Sequence, residues 1–362
     1  MEIVKLTKAN YKEWDDFCLK SDDAWFWHTT DWLEYTLQYK PELETKNFNF
    51  LIYKQNKIKA IVPLTLEVRQ REGEKINEFS FGGFAVPAPA LANDLEKIEK
   101  DRTERDLVYD CVFAEIDRLA KENKVKRAWF RQTPLARSSL DKNFFNYLIK
   151  FGYLDVSLNT QLIDLNKSEA ELWQDLRRNH RRNIKKGGQF KIAFYTAENI
   201  TPQLFNAYKK THHKAAGRKT RPDETFALMY QWLKNDLAFL VAAEYENKRI
   251  GFEYYGIYKN NVYGFSAAND PDYAHLPVRH AIEWEAIRWM KKKGISFYDI
   301  GLQQYGARFH DFPDKKQLDI SHFKKGFGGF PVPWLMGEKF FDQSYFQDTY
   351  RQRIAKYAES II

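Results

Sequence analysis

The sequence predicts an α/β protein with mixed α+β sheets, largely antiparallel, built as two tandem halves followed by a C-terminal helix. Three observations predict it. A hairpin pattern occurs twice, in FLIYKQNKIKAIVPLTLEV (Phe50 to Val68) and in FLVAAEYENKRIGFEYYGIY (Phe239 to Tyr258). Both open on Phe-Leu, turn at Asn-Lys and place an Ile after the turn, as two strands around a tight turn do. A helical rhythm follows each: Leu107, Cys111, Ala114 and Leu119 within residues 104–122, and Ile282, Ala286, Ile287 and Met290 within HAIEWEAIRWMKKKG. Each helix then leads into a strand, VKRAWFRQ and ISFYDIG. The order helix, hairpin, further strand, helix, strand is therefore written twice with little sequence identity, which is how a repeated supersecondary unit reads.

The boundary falls near residue 155, ahead of the strand TQLIDL. That gives an N-terminal domain over 1–155, a C-terminal domain over 156–340, and a helix over 341–362. The tail FFDQSYFQDTYRQRIAKYAES is amphipathic and is expected to pack back on the body; its mixed charges argue against a membrane-surface role. The junction of two such halves is an expected place for a ligand.

Composition narrows the partners. The 362 residues carry a net charge of +8 and a pI near 9.1, which favours anions: nucleic acid, phosphorylated metabolites or an anionic surface. At 44% hydrophobic and 16% aromatic residues, with 28 Phe and 21 Tyr, the chain is a folded globular protein. Cys18 and Cys111 give no disulfide framework. The start MEIVKLTKAN has no apolar signal core, and no run reaches the roughly 20 apolar residues that span a bilayer. A reducing, cytoplasmic setting is the expectation. The histidine spacings, including His212–His213 and His275–His280, suit no metal, and none is expected.

The stretch LRRNHRRNIKKGG (Leu176 to Gly188) packs six Arg or Lys into ten residues. Ser168 and Glu171 form an S-x-x-E capping box ahead of it. Trp173, Leu176, His180 and Ile184 make one apolar stripe of a helix that Gly187 and Gly188 end. Arg178 and Arg182 then share a face, as do Arg177 and Arg181. Crowded like charges repel, so the cluster reads either as a phosphate-binding surface, for which Arg is the bidentate partner, or as a solvated face.

Chemistry-bearing residues follow in the second half. Glu253 sits in the apolar strand IGFEYYGIY, where burial raises a carboxyl pKa and makes a base; a carboxylate paired with a cation is the structural alternative. Asn269, Asp270, Tyr273 and His275 form a polar knot between strand and helix, with turn chemistry as the competing account. Arg279 lies in the first helical turn, where a cation opposes the dipole unless an anion is near. Asp299 ends FYDI just before Gly301, facing a cleft or capping the strand. Lys324 and Lys325 stand beside Gly326, Gly328 and Gly329 in HFKKGFGG, an anion-binding groove or a bulged turn with exposed lysines. FSFGGFAVPAP (Phe79 to Pro89) reads as a Gly-Gly bend. Thr30 or Asp31 caps the helix after Trp27-His28-Thr29, and His28 is given no chemistry.

LRRNHRRNIKKGG, RIGFEYYGIY, SAANDPDYAHL, FYDIG and HFKKGFGGFPVPW, with HTTDWLEY, IVPLTLEV and FSFGGFAVPAPAL in the first half, together resemble the FemAB-like branch of the GNAT acyltransferase superfamily. The likeness runs from about residue 25 to residue 335. It implies two tandem GNAT-like domains and transfer of an aminoacyl or acyl group to an amine, the donor being aminoacyl-tRNA or acyl-CoA. The acceptor it implies is a cell-envelope peptide, an amino sugar or a small amine. One departure stands out. The loop NDPDYAHLPVRH (Asn269 to His280), where the superfamily has a glycine-rich pyrophosphate cradle, has no glycine and two prolines, Pro271 and Pro277. Backbone N–H groups are therefore scarce there, which tilts the donor away from CoA and toward phosphates held by side chains. In wall-building relatives a lysine near the end of the Trp helix binds the precursor; in WLEYTLQYK only Lys40 is placed for it. A second reading, from a different class, is a non-catalytic module binding RNA or another polyanion through Arg177 to Lys186. A third is a degenerate transferase kept as a scaffold.

Overall fold

A computed structural model describes residues 1–71, 73–95, 103–140 and 145–361; Ile362, at the end of the expected C-terminal helix, lies outside them. The chain divides into two compact units. One comprises Met1–Leu158, Tyr305–Asp314 and Pro333–Ile362, the other Asn159–Gln304 and Lys315–Val332. Residues 305–314 and 333–340, expected in the C-terminal domain, thus group with the first unit. The reason is a strand: Met336–Phe340 pairs antiparallel with Val125–Arg131 of the first unit's sheet.

In the first unit the Phe50–Lys54 and Lys57–Val62 strands form the expected hairpin. Its turn residues Gln55 and Asn56 both have positive φ, 51° and 59°, the geometry that matches strand twist. Helix Glu104–Glu122 is capped by Thr103, whose hydroxyl accepts from the Asp106 N–H at 3.3 Å. Its buried face is Val108, Val112, Ile116 and Ala120 with Tyr109 and Phe113, the face next to the expected Leu107–Cys111–Ala114–Leu119 stripe. The aromatics decide the face, since Phe113 stacks on Phe151 at 4.0 Å and Tyr109 meets Tyr147 at a tilt, centroids 4.4 Å apart. Thr29, rather than Thr30 or Asp31, caps helix Thr30–Gln38. The Gly-Gly bend is present: the N–H groups of Gly82 and Gly83 donate to Glu67. Helix Gln343–Glu359 buries no residue fully but packs back as expected, with Tyr350 and Arg353 on the buried Glu338.

The second unit holds one seven-stranded sheet, in the order Lys191–Tyr195, Ala238–Tyr245, Lys248–Tyr258, Asn261–Asn269, Phe297–Gln303, Leu158–Asp164, Phe330–Trp334. Its hairpin turns at Glu246 and Asn247, again with positive φ of 49° and 60°. Asn261–Asn269 and Phe297–Gln303 pair in parallel, and helix Val278–Lys292 makes the crossover that such pairing demands. The first unit repeats this: Glu74–Phe79 runs parallel to Val125–Arg131 across helix Glu104–Glu122. Ile282, Ala286, Ile287 and Met290 point inward as expected, against Phe239, Tyr255 and Tyr298. Helices Pro202–Ala216 and Asp223–Lys234 cover the other face, where Tyr208 packs on Phe252 and Tyr254.

The glycines of HFKKGFGG serve packing. Gly329, at φ 75°, leaves no room for a Cβ, which would stand 2.1 Å from the Leu162 carbonyl oxygen. Gly188 has open space around it. Gly329→Ala is expected to destabilise the protein by at least ~2 kcal/mol, while Gly188→Ala leaves stability within about 0.5 kcal/mol. Thermal unfolding of the two variants checks the contrast.

Candidate functional site

The strand pair Asn261–Asn269 and Phe297–Gln303 is hydrogen-bonded only over Asn261–Tyr263 and Phe297–Asp299. Past that point each strand follows its other neighbour. Asn261–Asn269 stays with Lys248–Tyr258 to the register Gly251–Asn269, and Phe297–Gln303 stays with Leu158–Asp164. Both flanking ladders carry a bulge, at Tyr254/Tyr255 and at Gln161/Leu162, and bulges add local twist that parts neighbours. The sheet therefore forks, with Asp299 at the base.

Asp299 is 3% exposed. One carboxylate oxygen accepts from the Thr160 hydroxyl at 2.5 Å and from the Gly301 N–H at 2.8 Å. Burial raises its pKa to about 6, and those two bonds and Lys324 pull the other way without cancelling it. The Lys324 ammonium stands over Gly301: a Cβ there would lie 2.6 Å from Nζ and 3.9 Å from the Tyr263 hydroxyl. Gly301, at φ 105°, thus makes the space that the amine occupies. Lys324 is half-buried, and its pKa is lowered by desolvation first and by Arg279 second, with Asp299 opposing.

Behind this pair lies a second polar layer. Arg279 donates to Glu253 at 2.5 Å and to Glu283 at 2.7 and 3.0 Å. Glu283 also accepts from the Tyr298 hydroxyl at 2.9 Å and the Tyr255 hydroxyl at 3.3 Å. The second oxygen of Glu253 is buried with no hydrogen-bond partner. Burial pushes the Glu253 pKa well up; Arg279 opposes this and Glu283 reinforces it. Three acids stand against two cations here, so burial tells strongly on the carboxylates that the cations satisfy least. The arrangement sets an ammonium and a carboxylate of raised pKa at the base of the fork, with Arg279 and its two acids behind them. It is equipped to polarise a carbonyl and to take a proton from a neutral nucleophile.

Arg279 holds two buried carboxylates, so its place in a first helical turn is answered by Glu253 and Glu283 within the fold. Arg279→Met should cost about 3–5 kcal/mol, because the acids are left facing each other. Adding Glu253→Gln should recover part of that loss, as chemical denaturation of the single and double variants will read.

The other expected site residues lie apart from this cluster. Asp270 is buried against solvent, and its pKa is nevertheless lowered by Lys214 at 2.5 Å and Lys248 at 3.3 Å. It also caps the turn by accepting from the Asp272 N–H. Tyr273 packs on the core under the Lys248 ammonium, 4.9 Å from its ring. The Asn269 side-chain oxygen is buried without a partner beside Gly251, and His275 is exposed. Lys325 is exposed at the end of helix Lys315–Lys325. The two lysines were expected on a groove or bulged turn; instead they end a helix that turns Lys324 inward.

The single basic helix expected from Ser168 is two. Its capping box is made as expected. The first helix, Glu169–Asp175, then stops at Leu176, and Arg177 is the N-cap of Arg178–Lys186. Arg181 donates to the Gln174 carbonyl at 3.0 Å and so satisfies the broken end. Arg177 bonds His322, and buried His180 bonds the Phe323 carbonyl at 2.9 Å, one residue before Lys324. Arg178 and Arg182 are exposed. Glu283, Tyr255, Tyr298 and Thr160 were missed. Only Glu283 left a trace in the sequence, as an acid on the buried stripe of HAIEWEAIRW, four residues from Arg279.

Residues 174–312 match the family model described as an acetyltransferase (GNAT) domain. FemX shares the fold, with a TM-score of 0.60 at 12% identity over 97% of this chain and 100% of that one. So does the protein named L-PGS from Bacillus licheniformis, with a TM-score of 0.50 at 12% identity over 83% of this chain and 88% of that one. A conserved protein of unknown function from Bacteroides thetaiotaomicron scores 0.51 at 10% identity over 93% and 98% of the two chains. At such identities the likeness is one of fold. No curated protein sequence matches the chain.

Proposed function

We propose, for a chain with a GNAT acetyltransferase domain over residues 174–312 and the FemAB-like fold over its length, that it transfers an aminoacyl or acyl group from a phosphate-bearing donor to an amine. The observation that carries this reading is the forked strand pair with Asp299 and Lys324 at its base. In this account the donor's carbonyl lies in the fork, where Lys324 donates to the oxygen as negative charge develops. The amine attacks as a neutral base, and its proton passes to Asp299, whose raised pKa suits that task near neutral pH. Glu253, with one free buried oxygen, is the second candidate for that proton. The new amide bond forms as the donor's ester or thioester bond breaks, and the departing oxygen or sulfur leaves with a proton.

Arg178 and Arg182, exposed on one face of helix Arg178–Lys186, would hold donor phosphates, and Lys325 would add charge. The glycine-free loop Asn269–His280 opens in a short turn at Pro271–Tyr273, with Asp270 spent on Lys214. It therefore offers few backbone N–H groups, which favours aminoacyl-tRNA over acyl-CoA. The acceptor class is an envelope peptide, amino sugar or small amine. No helix among the described residues is long and apolar enough to cross a membrane. Intact-mass analysis of amine acceptors after incubation with acyl-CoA and, separately, charged tRNA tests the reading; absence of transfer from both donors overturns it.

The polyanion-binding reading has one observation in its favour, the same exposed arginine face. The two readings separate on Arg178→Ala/Arg182→Ala. A transferase should show a raised KM for its donor, with the slope of log affinity against log salt reduced by roughly 1.5, and little change in kcat. A binding module should lose RNA affinity and remain indifferent to Asp299→Asn.

A further inference from the structure

We propose that the first unit carries a binding site of its own for a small zwitterion, a molecule with both an ammonium and a carboxylate, such as an amino acid or short peptide. The inference does not rest on acyl transfer. A cavity of about 660 Å3 lies within this unit beside the first turns of helix Glu104–Glu122, a volume in the range of small-molecule pockets.

One wall carries buried polar atoms with nothing to bond. Gln132 and Thr133 line the cavity and are 6% and 5% exposed, yet Gln132 Oε1 and Thr133 Oγ1 have no hydrogen-bond partner. The orientation of the Gln132 amide is fixed by its neighbour. Asn146 Nδ2 donates to the Met336 carbonyl at 2.8 Å, so Asn146 Oδ1 is left to accept from Gln132 Nε2 at 3.4 Å. Gln132 Oε1 is thereby held as an open acceptor. Buried acceptors of this kind normally have a partner, and a ligand N–H would supply it.

The cavity carries charges of both signs, loosely paired. Asp23 and Arg105 stand 3.5 Å apart, and Asp22 and Arg137 stand 3.9 Å apart. Close charge-assisted bonds are shorter, about 2.7–2.9 Å; Asp23 spends one oxygen on the Leu91 N–H at 3.1 Å and Arg105 one N–H on the Tyr109 hydroxyl at 3.3 Å, and the remaining donors and acceptors of each pair retain capacity for a ligand. Asp106 and Lys150 add one further charge of each sign, although Asp106 is committed to its cap with Thr103. A lone anion meets the aspartates here and a lone cation meets the arginines. A zwitterion answers both, its ammonium toward Asp22, Asp23 and Gln132 Oε1, its carboxylate toward Arg105 and Arg137. Tyr109 and Tyr147, in ring contact at 4.4 Å, give the site an apolar wall for a side chain.

The test is calorimetric titration of the full chain with L-tyrosine and with L-alanyl-L-tyrosine, against N-acetyl-L-tyrosine and L-tyrosinamide, each lacking one charge. Saturable binding of at least one zwitterion is expected, with each control weaker by about tenfold or more. Which zwitterion binds decides between a free amino acid and a peptide. Arg137→Glu, at a side chain 85% exposed and so harmless to folding, should lower affinity about tenfold. Gln132→Leu should do likewise while leaving the melting temperature of the unliganded protein unchanged or raised, which a purely structural glutamine would not. No binding of either zwitterion at millimolar concentration, equal binding of the controls, or an unaltered affinity in Arg137→Glu overturns the proposal.

Discussion

Asp299→Asn is expected to lower the rate of transfer by about 100- to 10,000-fold, the range lost with a general base, while the protein stays folded. The variant keeps an oxygen to accept from Thr160 and Gly301, so the geometry at the base of the fork survives. What it loses is the proton acceptor. The rate in the parent protein should climb with pH through about 6 as the carboxyl ionises, and that limb should vanish in the variant. Stability should move the opposite way. The pKa is raised on folding from 3.8 to about 6, so the folded state holds a proton that the unfolded chain has released. Its contribution is fully present below pH 4 and is lost as the pH rises through 6. Asn has no such loss, so above pH 7 the variant should gain on the parent by roughly 3 kcal/mol from this source. Paired rate and unfolding measurements at pH 5 and pH 8 check both signs. A variant that is slower only because it is less stable at pH 8 would contradict the assignment.

Lys324→Met carries the second large effect. Methionine keeps the apolar stem and removes the charge over Gly301, where the ammonium has room only because that residue lacks a Cβ. A loss of about 100- to 1000-fold in kcat is expected, as for removal of one donor to a developing oxyanion. A second readout separates this from simple repacking. Lys324 is one of the groups holding the Asp299 pKa down, so its removal should shift the remaining acid limb of the rate profile to higher pH. An unchanged limb would place Lys324 outside the reaction and leave it a structural amine.

Much of the fold was legible because it depends on local pattern. Hairpins announce themselves by alternation and a turn that tolerates positive φ, and Gln55–Asn56 and Glu246–Asn247 supply it. The crossover helix Val278–Lys292 was readable from Ile282, Ala286, Ile287 and Met290 because burial and spacing agree there. Helix Glu104–Glu122 misled because apolar residues occur on both of its faces, and the choice between them was made by Tyr147 and Phe151, distant in sequence. The break at Leu176 was hidden since Arg181 satisfies the broken end from the next helix. Among the site residues, Glu253, Asp299, Arg279 and Lys324 were singled out one by one, and the structure brings them together. Their juxtaposition was not legible: it arises from a forked sheet and from a helix end that swings Lys324 over Gly301. Sequence spacing encodes neither. Asn269, Asp270, Tyr273 and His275 show the reverse case, a conspicuous polar cluster whose Asp270 is already committed to Lys214 and Lys248.

The most direct measurement is product formation, by intact mass of an amine acceptor supplied with acyl-CoA or charged tRNA, for the parent protein and for the Asp299→Asn/Lys324→Met double variant. The account predicts an acylated acceptor from the parent with at least one donor and none from the folded double variant. Equal product from both proteins would contradict it.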